Sequence, residues 1–385
     1  MSEFLDLLET VKAEDASFQR MFGDAGTGVR SMRRDDPRYK RSLAEAAKLI
    51  EQVVNGRAPM HRLQEAMSTS DFPLLFGDII DRSMLGTYEQ WPSVWQRIAK
   101  KGSVKDFRTK RQFVMDGAEA PLGKVGSGEE YDETSVTENK YDYKVDKYGR
   151  RIPFLWEVFV NDDLDALRDM PQRLGNAARN TEERLATELF VDSTGPDATF
   201  FAAGNSNRII TGGAGLDADK LGAGFKAIRS QKDTEGNPIW TGTLRLVVPP
   251  ALEVAGLNLL NAMQVVTAPG ATSGQQVITQ NWMTSRFDLV VNPWLPIIDT
   301  SANKDTTWYL FAEPSVGRPA MEVGFLRGRD TPELFMKAPD AIRIGGGTVG
   351  AEEGSFATDG IDYKVRHVVG GGLLDPKAAL AYIGV

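Results

Sequence analysis

The sequence predicts an α+β protein. Three observations carry this: two alternating strand patterns around a polar, glycine-rich stretch, one long amphipathic helix after them, and a closing series of short strands and helices. The chain has 385 residues, 41% hydrophobic and 25% charged, enough for two or three packed units. A net charge of −8 argues against nucleic acid as the main partner, because phosphate binding needs a basic surface. Without cysteine, disulfides and thiolate chemistry are excluded. The start, MSEFLDLLETVKAED, is acidic within three residues and lacks an apolar core run, so no signal peptide is expected. No apolar run reaches the ~18 residues of a membrane span, and the expectation is a soluble protein made in a cytoplasm.

Residues 1–70 read as an arm rather than a domain. Phe4, Leu5, Leu7, Leu8 and Val11 make one short amphipathic face, and Leu43 to Val54 make another. Between them, RSMRRDDPRYKR holds six basic residues, among them Arg30, Arg33, Arg34 and Arg38, against two acidic ones. This is either a solvated arm or one that contacts a polyanion or another subunit. Two short helices without a shared core seldom fold alone, so the arm is expected to lie on another surface. Residues 71–101 are denser in apolar side chains; Ser70 or Asp71 can cap a helix running towards Tyr88, with Pro73 in its first turn.

Residues 102–160 predict a long β-finger. Phe107, Arg111, Phe113 and Met115 share one parity in the first strand, and Tyr141, Tyr143 and Val145 share one in the second. The period of two continues through Ile152, Phe154, Trp156, Val158 and Val160. The tip is acidic: Asp116, Glu119, Glu129, Glu130, Asp132 and Glu133 stand against a single Lys124. The stems are basic, with Lys100, Lys101, Lys105, Arg108, Lys110 and Arg111 on one side and Lys140, Lys144, Lys147, Arg150 and Arg151 on the other. A lone hairpin is marginally stable in water, so this one is expected to lie along a neighbouring copy, acidic tip on basic stems. The plainer alternative is a loop whose charges only keep it soluble.

Asn161 can cap a first turn-rich piece, after which Pro171 is expected to open a helix to Ser193. Its apolar stripe is Leu174, Ala177, Ala178, Thr181, Leu185 and Leu189, with Arg173, Arg179, Glu182 and Glu183 falling away from it. A shorter helix is expected over Ala218 to Ser230. Then comes a strand in TLRLVV, stopped by Pro249 and Pro250, which set the next helix. Phe287 to Val291 and Trp308 to Phe311 read as strands, and Thr267 to Gln276 as a loop. The end, FATDGIDYKVRHVVGGGLLDPKAALAYIGV, reads as a strand, a glycine break and a second extended piece.

Little in the chain points to catalysis. His61 lies in the arm and His367 in a strand, where a lone histidine is usually packed or exposed, and no G-x-S-x-G elbow accompanies either. Gly345 to Gly350 satisfies G-x-G-x-x-G, yet AEEGSFATDG follows in place of the helix that would offer its amides to a pyrophosphate. Asp162, Asp163 and Asp165, at a helix start, suit the cap and the dipole better than a metal. No cofactor is expected.

The order of parts resembles the major capsid protein of tailed bacteriophages. Two stretches, STSDFPLLFGDIIDRSMLGTYEQWPSVWQRIA and ATDGIDYKVRHVVGGGLLDPKAAL, also look like one branch of phage head proteins. The resemblance implies an N-arm (1–70), a linking helical segment (71–101), an E-loop hairpin (102–160), a peripheral domain with a spine helix (161–215), an axial domain (216–329) and a return to the peripheral domain (330–385). It implies a non-enzymatic subunit that forms hexamers and pentamers of an icosahedral shell around double-stranded DNA. The Thr267–Gln276 loop would then stand near the capsomer axis. Scaffolding, portal and decoration proteins are the further partners implied, and no membrane. Some members of the fold weld the shell through an E-loop lysine and a neighbour's asparagine. Lys124 is the only lysine at this tip, but no asparagine follows Asn303, so a non-covalent shell is expected. An encapsulin-like compartment, or an α/β enzyme, are the alternatives.

Overall fold

A computed structural model describes residues 52, 81, 83–116, 137–155, 164–211, 215–233, 236–267, 277–315, 318–337 and 360–384. The arm with its arginines, His61, the finger tip, Asp162, Asp163, residues 268–276 and Gly345 to Gly350 lie outside these.

In chain order the elements are helix α1 (83–90), α2 (Trp95–Ile98), β1 (Lys100–Val104), β2 (Lys110–Asp116), β3 (Thr137–Tyr143), β4 (Val145–Leu155) and α3 (Leu164–Glu188). Two short strands follow, β5 (Val191–Asp192) and β6 (Gly195–Pro196), then β7 (Arg208–Thr211), α4 (Ala218–Arg229), β8 (Leu244–Val248) and α5 (Glu253–Asn261). The chain continues through β9 (Gln264–Thr267), β10 (Val277–Gln280), β11 (Phe287–Val291), α6 (Leu295–Ile298), β12 (Trp308–Phe311) and β13 (Met321–Leu326). It closes with β14 (Glu333–Met336), β15 (Gly360–Leu373) and β16 (Ala379–Gly384).

Two compact units result. The first takes Met1–Met84, Arg150–Pro171 and Leu334–Val365. Among its described residues, Arg151 grips Asp362 with two hydrogen bonds of 3.0 and 2.8 Å, and Lys364 stands 5.2 Å over the Phe335 ring. The second takes Leu85–Gly149, Gln172–Glu333 and Arg366–Val385.

The second unit is built on a five-stranded sheet in the order β11-β8-β12-β16-β7. Its inner strands are buried on both faces, so alternate residues feed two cores. Leu244, Leu246, Trp308, Leu310, Leu380 and Tyr382 pack under Leu221 and Ile228 of α4 and Leu260 of α5. Val247, Tyr309, Phe311, Ala379 and Ala381 pack on the other side against Phe190, Phe201 and Trp95. Trp308 stacks on Tyr382 at 4.6 Å, and the Phe190 ring meets Tyr309 and Phe311 edge-on at 5.2 and 5.1 Å. A second sheet of this unit sets β13 between β1, parallel to it, and the last part of β15, antiparallel to it.

Several expected elements stand where the residues placed them. Asp217 caps α4 by accepting the Lys220 N–H at 2.8 Å. Pro249 and Pro250 end β8 and begin a single 3-10 turn that leads into α5. Other expectations are corrected. Pro171 does not open the long helix: α3 is continuous from Leu164 to Glu188, ends five residues before Ser193, and forgoes the one backbone bond that proline cannot donate. Phe107, expected in the first finger strand, lies outside it. Asp106 accepts the N–H of Arg108 at 3.0 Å and turns the chain, so Phe107 is exposed and pairing begins at Lys110.

The glycine break is no break. Gly370, Gly371 and Gly372 lie inside β15, opposite Gly324, Val323 and Glu322 of β13. A Cβ on Gly370 would strike the Lys144 carbonyl, and one on Gly372 would stand 2.7 Å from the Tyr143 Cβ. These glycines exist for close approach, not for a turn. Arg179, Glu182 and Glu183, expected on the solvent side of α3, are buried at 4%, 0% and 4% exposure. A hydropathy stripe sends charge outward by default; here the charges find their partners inside the fold.

Candidate assembly site and its supports

The finger is a two-stranded antiparallel ladder in which Lys110 pairs with Tyr143, Arg111 with Asp142, and so on to Asp116 with Thr137. Its root is held by one carboxylate. Glu322 is the second residue of the otherwise apolar strand β13 and is 2% exposed. Glu322 accepts the Lys110 ammonium at 2.7 Å and the Tyr143 hydroxyl on the same oxygen. Lys110 also lies 5.2 Å over the Tyr143 ring. The first residue of β2 and the last of β3 are thus tied to β13 at one point. Burial, then the Glu322 bond, pushes the Tyr143 hydroxyl far above the ordinary phenol range, so it stays a donor. Gly102, Gly324 and Gly372 make the slot for this ring, since a Cβ on Gly102 or Gly324 would come 2.7 Å from the Tyr143 hydroxyl oxygen. Val104, Val145 and Val368 close a small core around it.

The basic stem residues divide into two groups. Lys101 pairs with Asp330 at 3.0 Å, Lys140 with Asp142 at 3.0 Å, Lys144 with Asp146 at 3.4 Å, and Arg151 with Asp362. Arg108 reaches Asp106 only at 4.0 Å with its side chain 89% exposed. Lys100, Lys105, Arg111, Lys147 and Arg150 are exposed and have no ion-pair partner among the described residues. Asp116 ends β2; the other tip acids and Lys124 lie outside the described residues.

Behind the finger, α3 carries a buried polar cluster. Glu182 accepts four donors: the Tyr88 hydroxyl, His367 Nε2 at 2.7 Å, Trp95 Nε1 at 2.9 Å and Arg179 at 2.7 Å. Burial alone would raise its pKa, but His367, Arg179 and Tyr88 together hold it below the ordinary carboxylate range. Arg179 also donates to the Tyr88 carbonyl at 2.9 Å and lies 4.0 Å from that ring's centre. Four segments, α1, α2, α3 and β15, therefore meet on one carboxylate. His367 is packed, as a lone strand histidine usually is, and its Nδ1 has no partner among the described residues.

The adjacent Glu183 behaves in the opposite way. It accepts the N–H groups of Val94 at 2.8 Å and Trp95 at 3.1 Å, yet burial pushes it up to about 7. A carboxyl whose folded pKa exceeds its unfolded value of 4.5 contributes stability that is complete below 4.5 and lost as pH rises through about 7. Glu183→Gln keeps the shape and removes the charge. The variant should match the wild type at pH 4 and exceed it at pH 8.5 by up to about 3 kcal/mol, read by urea denaturation. An equal difference at both pH values would sink this expectation.

Among the described residues no group of three His, Cys, Asp or Glu could hold a metal, and no helix is long and apolar enough to cross a membrane. Sequence reasoning missed Glu322, Glu182 and Glu183. Only Glu322 leaves a trace, as a lone acid inside MEVGFL.

A family model for phage capsid proteins matches residues 138–382, well over half of the chain. The chain belongs to the phage capsid protein family. It is a structural protein of the phage head, with the fold its order of elements implied. Among solved structures it is similar to the capsid of the cyanophage P-SCSP1u, at 12% identity and a TM-score of 0.46, over 76% of this chain and 88% of that one. The capsid of an empty GTA particle matches at 12% identity and a TM-score of 0.48, over 77% and 91%. A virus-like particle from Pyrococcus furiosus matches at 10% and 0.41, over 79% and 98%. No curated protein sequence matches the chain.

Proposed function

We propose that this capsid protein is the major head subunit of a tailed phage, whose copies form hexamers and pentamers of an icosahedral shell around double-stranded DNA. The observation that carries the reading is the finger: a polar hairpin pinned at its root through Glu322 and leading to a tip of six acids and one lysine. The tip lies across a neighbouring copy, and the cations Lys100, Lys105, Arg111, Lys147 and Arg150, exposed and without an ion-pair partner among the described residues, are its docking points. The contacts are non-covalent, because no asparagine follows Asn303 to receive Lys124. Residues 102–160 act as the E-loop, 161–215 as the spine-helix region and 216–329 as the axial domain, with 330–385 returning. The basic arm serves contacts with a neighbour, a scaffolding protein or the enclosed DNA. Portal and decoration proteins complete the set of partners, and assembly takes place in the host cytoplasm before the subunit resides in the virion.

The test deletes Gly117 to Tyr131 and compares sedimentation and negative-stain images with the intact chain. Capsomers or shells from the intact chain that fall apart in the deletion variant support the reading. Shells equally stable without the tip would remove the finger from assembly, and co-purified enzyme cargo in place of DNA would turn the reading towards a compartment.

A further inference from the structure

Two neighbouring carboxyl groups of α3, Glu182 and Glu183, lie buried beside a single guanidinium, that of Arg179. Arg179 commits one nitrogen to Glu182 at 2.7 Å and another to the Tyr88 carbonyl at 2.9 Å. Glu183 therefore forms no ion pair among the described residues. Its two oxygens instead accept backbone N–H groups at the start of α2, one from Val94 and one from Trp95. The buried Ser93 hydroxyl stands against the same carboxyl, where it can donate to a carboxylate or accept from a carboxylic acid.

The other charged and titratable groups around this point are engaged elsewhere. On β15, His367 is bonded through Nε2 to Glu182. On α1, the Tyr88 hydroxyl donates to Glu182, and Glu89 is exposed. On α2, Arg97 pairs with Asp288, and at the rim Lys101 pairs with Asp330. None of them brings a counter-charge to Glu183, and a buried carboxylate without one is costly. Burial accordingly outweighs the two amides and the more distant Arg179 charge, which is why this carboxyl sits at about 7.

We infer that Glu183 is a proton-operated clasp: with its proton it holds residues 93–95 against α3, and without it the segment lifts away so that water can reach the carboxylate. The segment leads from α1 into β1, so the clasp governs how firmly this stretch of chain covers the long helix. In the lifted state the carboxyl regains its ordinary value of 4.5. Opening is thus rarest below pH 4.5, grows as pH rises towards about 7, and levels off above it. The opening is local, because β8 and β16 are held by the buried sheet and not by this contact.

The test is hydrogen exchange of the full chain, read by mass spectrometry and corrected for the intrinsic pH dependence of amide exchange. Protection of residues 91–99 should fall roughly thirtyfold from pH 5.5 to pH 8, while β8 and β16 change by less than about threefold. Glu183→Gln, neutral at both pH values, should show no such fall. His367→Gln, which keeps a donor to Glu182, should show it undiminished. The inference is overturned if wild-type residues 91–99 are equally protected at both pH values, or if the fall persists in Glu183→Gln. It is overturned equally if the fall vanishes in His367→Gln, which would make the histidine the carrier, or if β8 and β16 lose protection in step with 91–99.

Discussion

Glu182→Ala is expected to destabilise the chain by about 4 kcal/mol or more, lowering its melting temperature by about 10 °C or leaving it insoluble. The carboxylate is fully buried and saturated by four donors. Its removal leaves the Arg179 charge at 4% exposure without its counter-ion, and strips partners from Trp95 Nε1, His367 Nε2 and the Tyr88 hydroxyl. Breaking a buried pair from one side typically costs 3–5 kcal/mol, because the remaining charge keeps its desolvation penalty. A paired replacement separates this from mere packing: Glu182→Ala with Arg179→Met should recover part of the loss. If thermal melts show Glu182→Ala within about 1 kcal/mol of the wild type, the carboxylate is not the keystone of these four segments.

Gly370→Ala should be the most damaging of the small substitutions, at about 4 kcal/mol or more. The added methyl would overlap the Lys144 carbonyl and stand 2.7 Å from the Val145 Cα, and backbone cannot swing aside as a side chain can. Gly371→Ala meets the Leu189 Cδ1 at 2.8 Å and the Glu322 carbonyl at 2.9 Å, and should rank next. Gly86→Ala, with nothing within 4 Å, is the control and should be neutral or slightly stabilising in its helix. Denaturant midpoints of the three variants would test the ranking. A Gly370→Ala protein as stable as Gly86→Ala would mean that β4 does not approach β15 so closely.

Local pattern was sufficient where one short segment decides its own state. The alternation around Tyr141 and Tyr143 identifies a strand, Asp217 announces a helix start, and Pro249 with Pro250 ends β8, because each effect acts within a few residues. The proteins that share this order of parts could be recognised for the same reason: the order is written along the chain. Partnerships across 94 residues, such as Tyr88 with Glu182, or across 179, such as Tyr143 with Glu322, leave no local trace.

The sequence by itself therefore determined the α+β class, the finger with its acidic tip, the long helix and the succession of strands. Only the tertiary structure decided that Glu182 and Glu183 turn inward, that Lys110 serves Glu322 at the finger's root, and that Gly370 to Gly372 continue a strand. The physical reason is the same in each case. Burial of a charge or omission of a side chain becomes favourable only when a distant segment supplies the partner or claims the space, and hydropathy read along one strand or helix cannot see that segment.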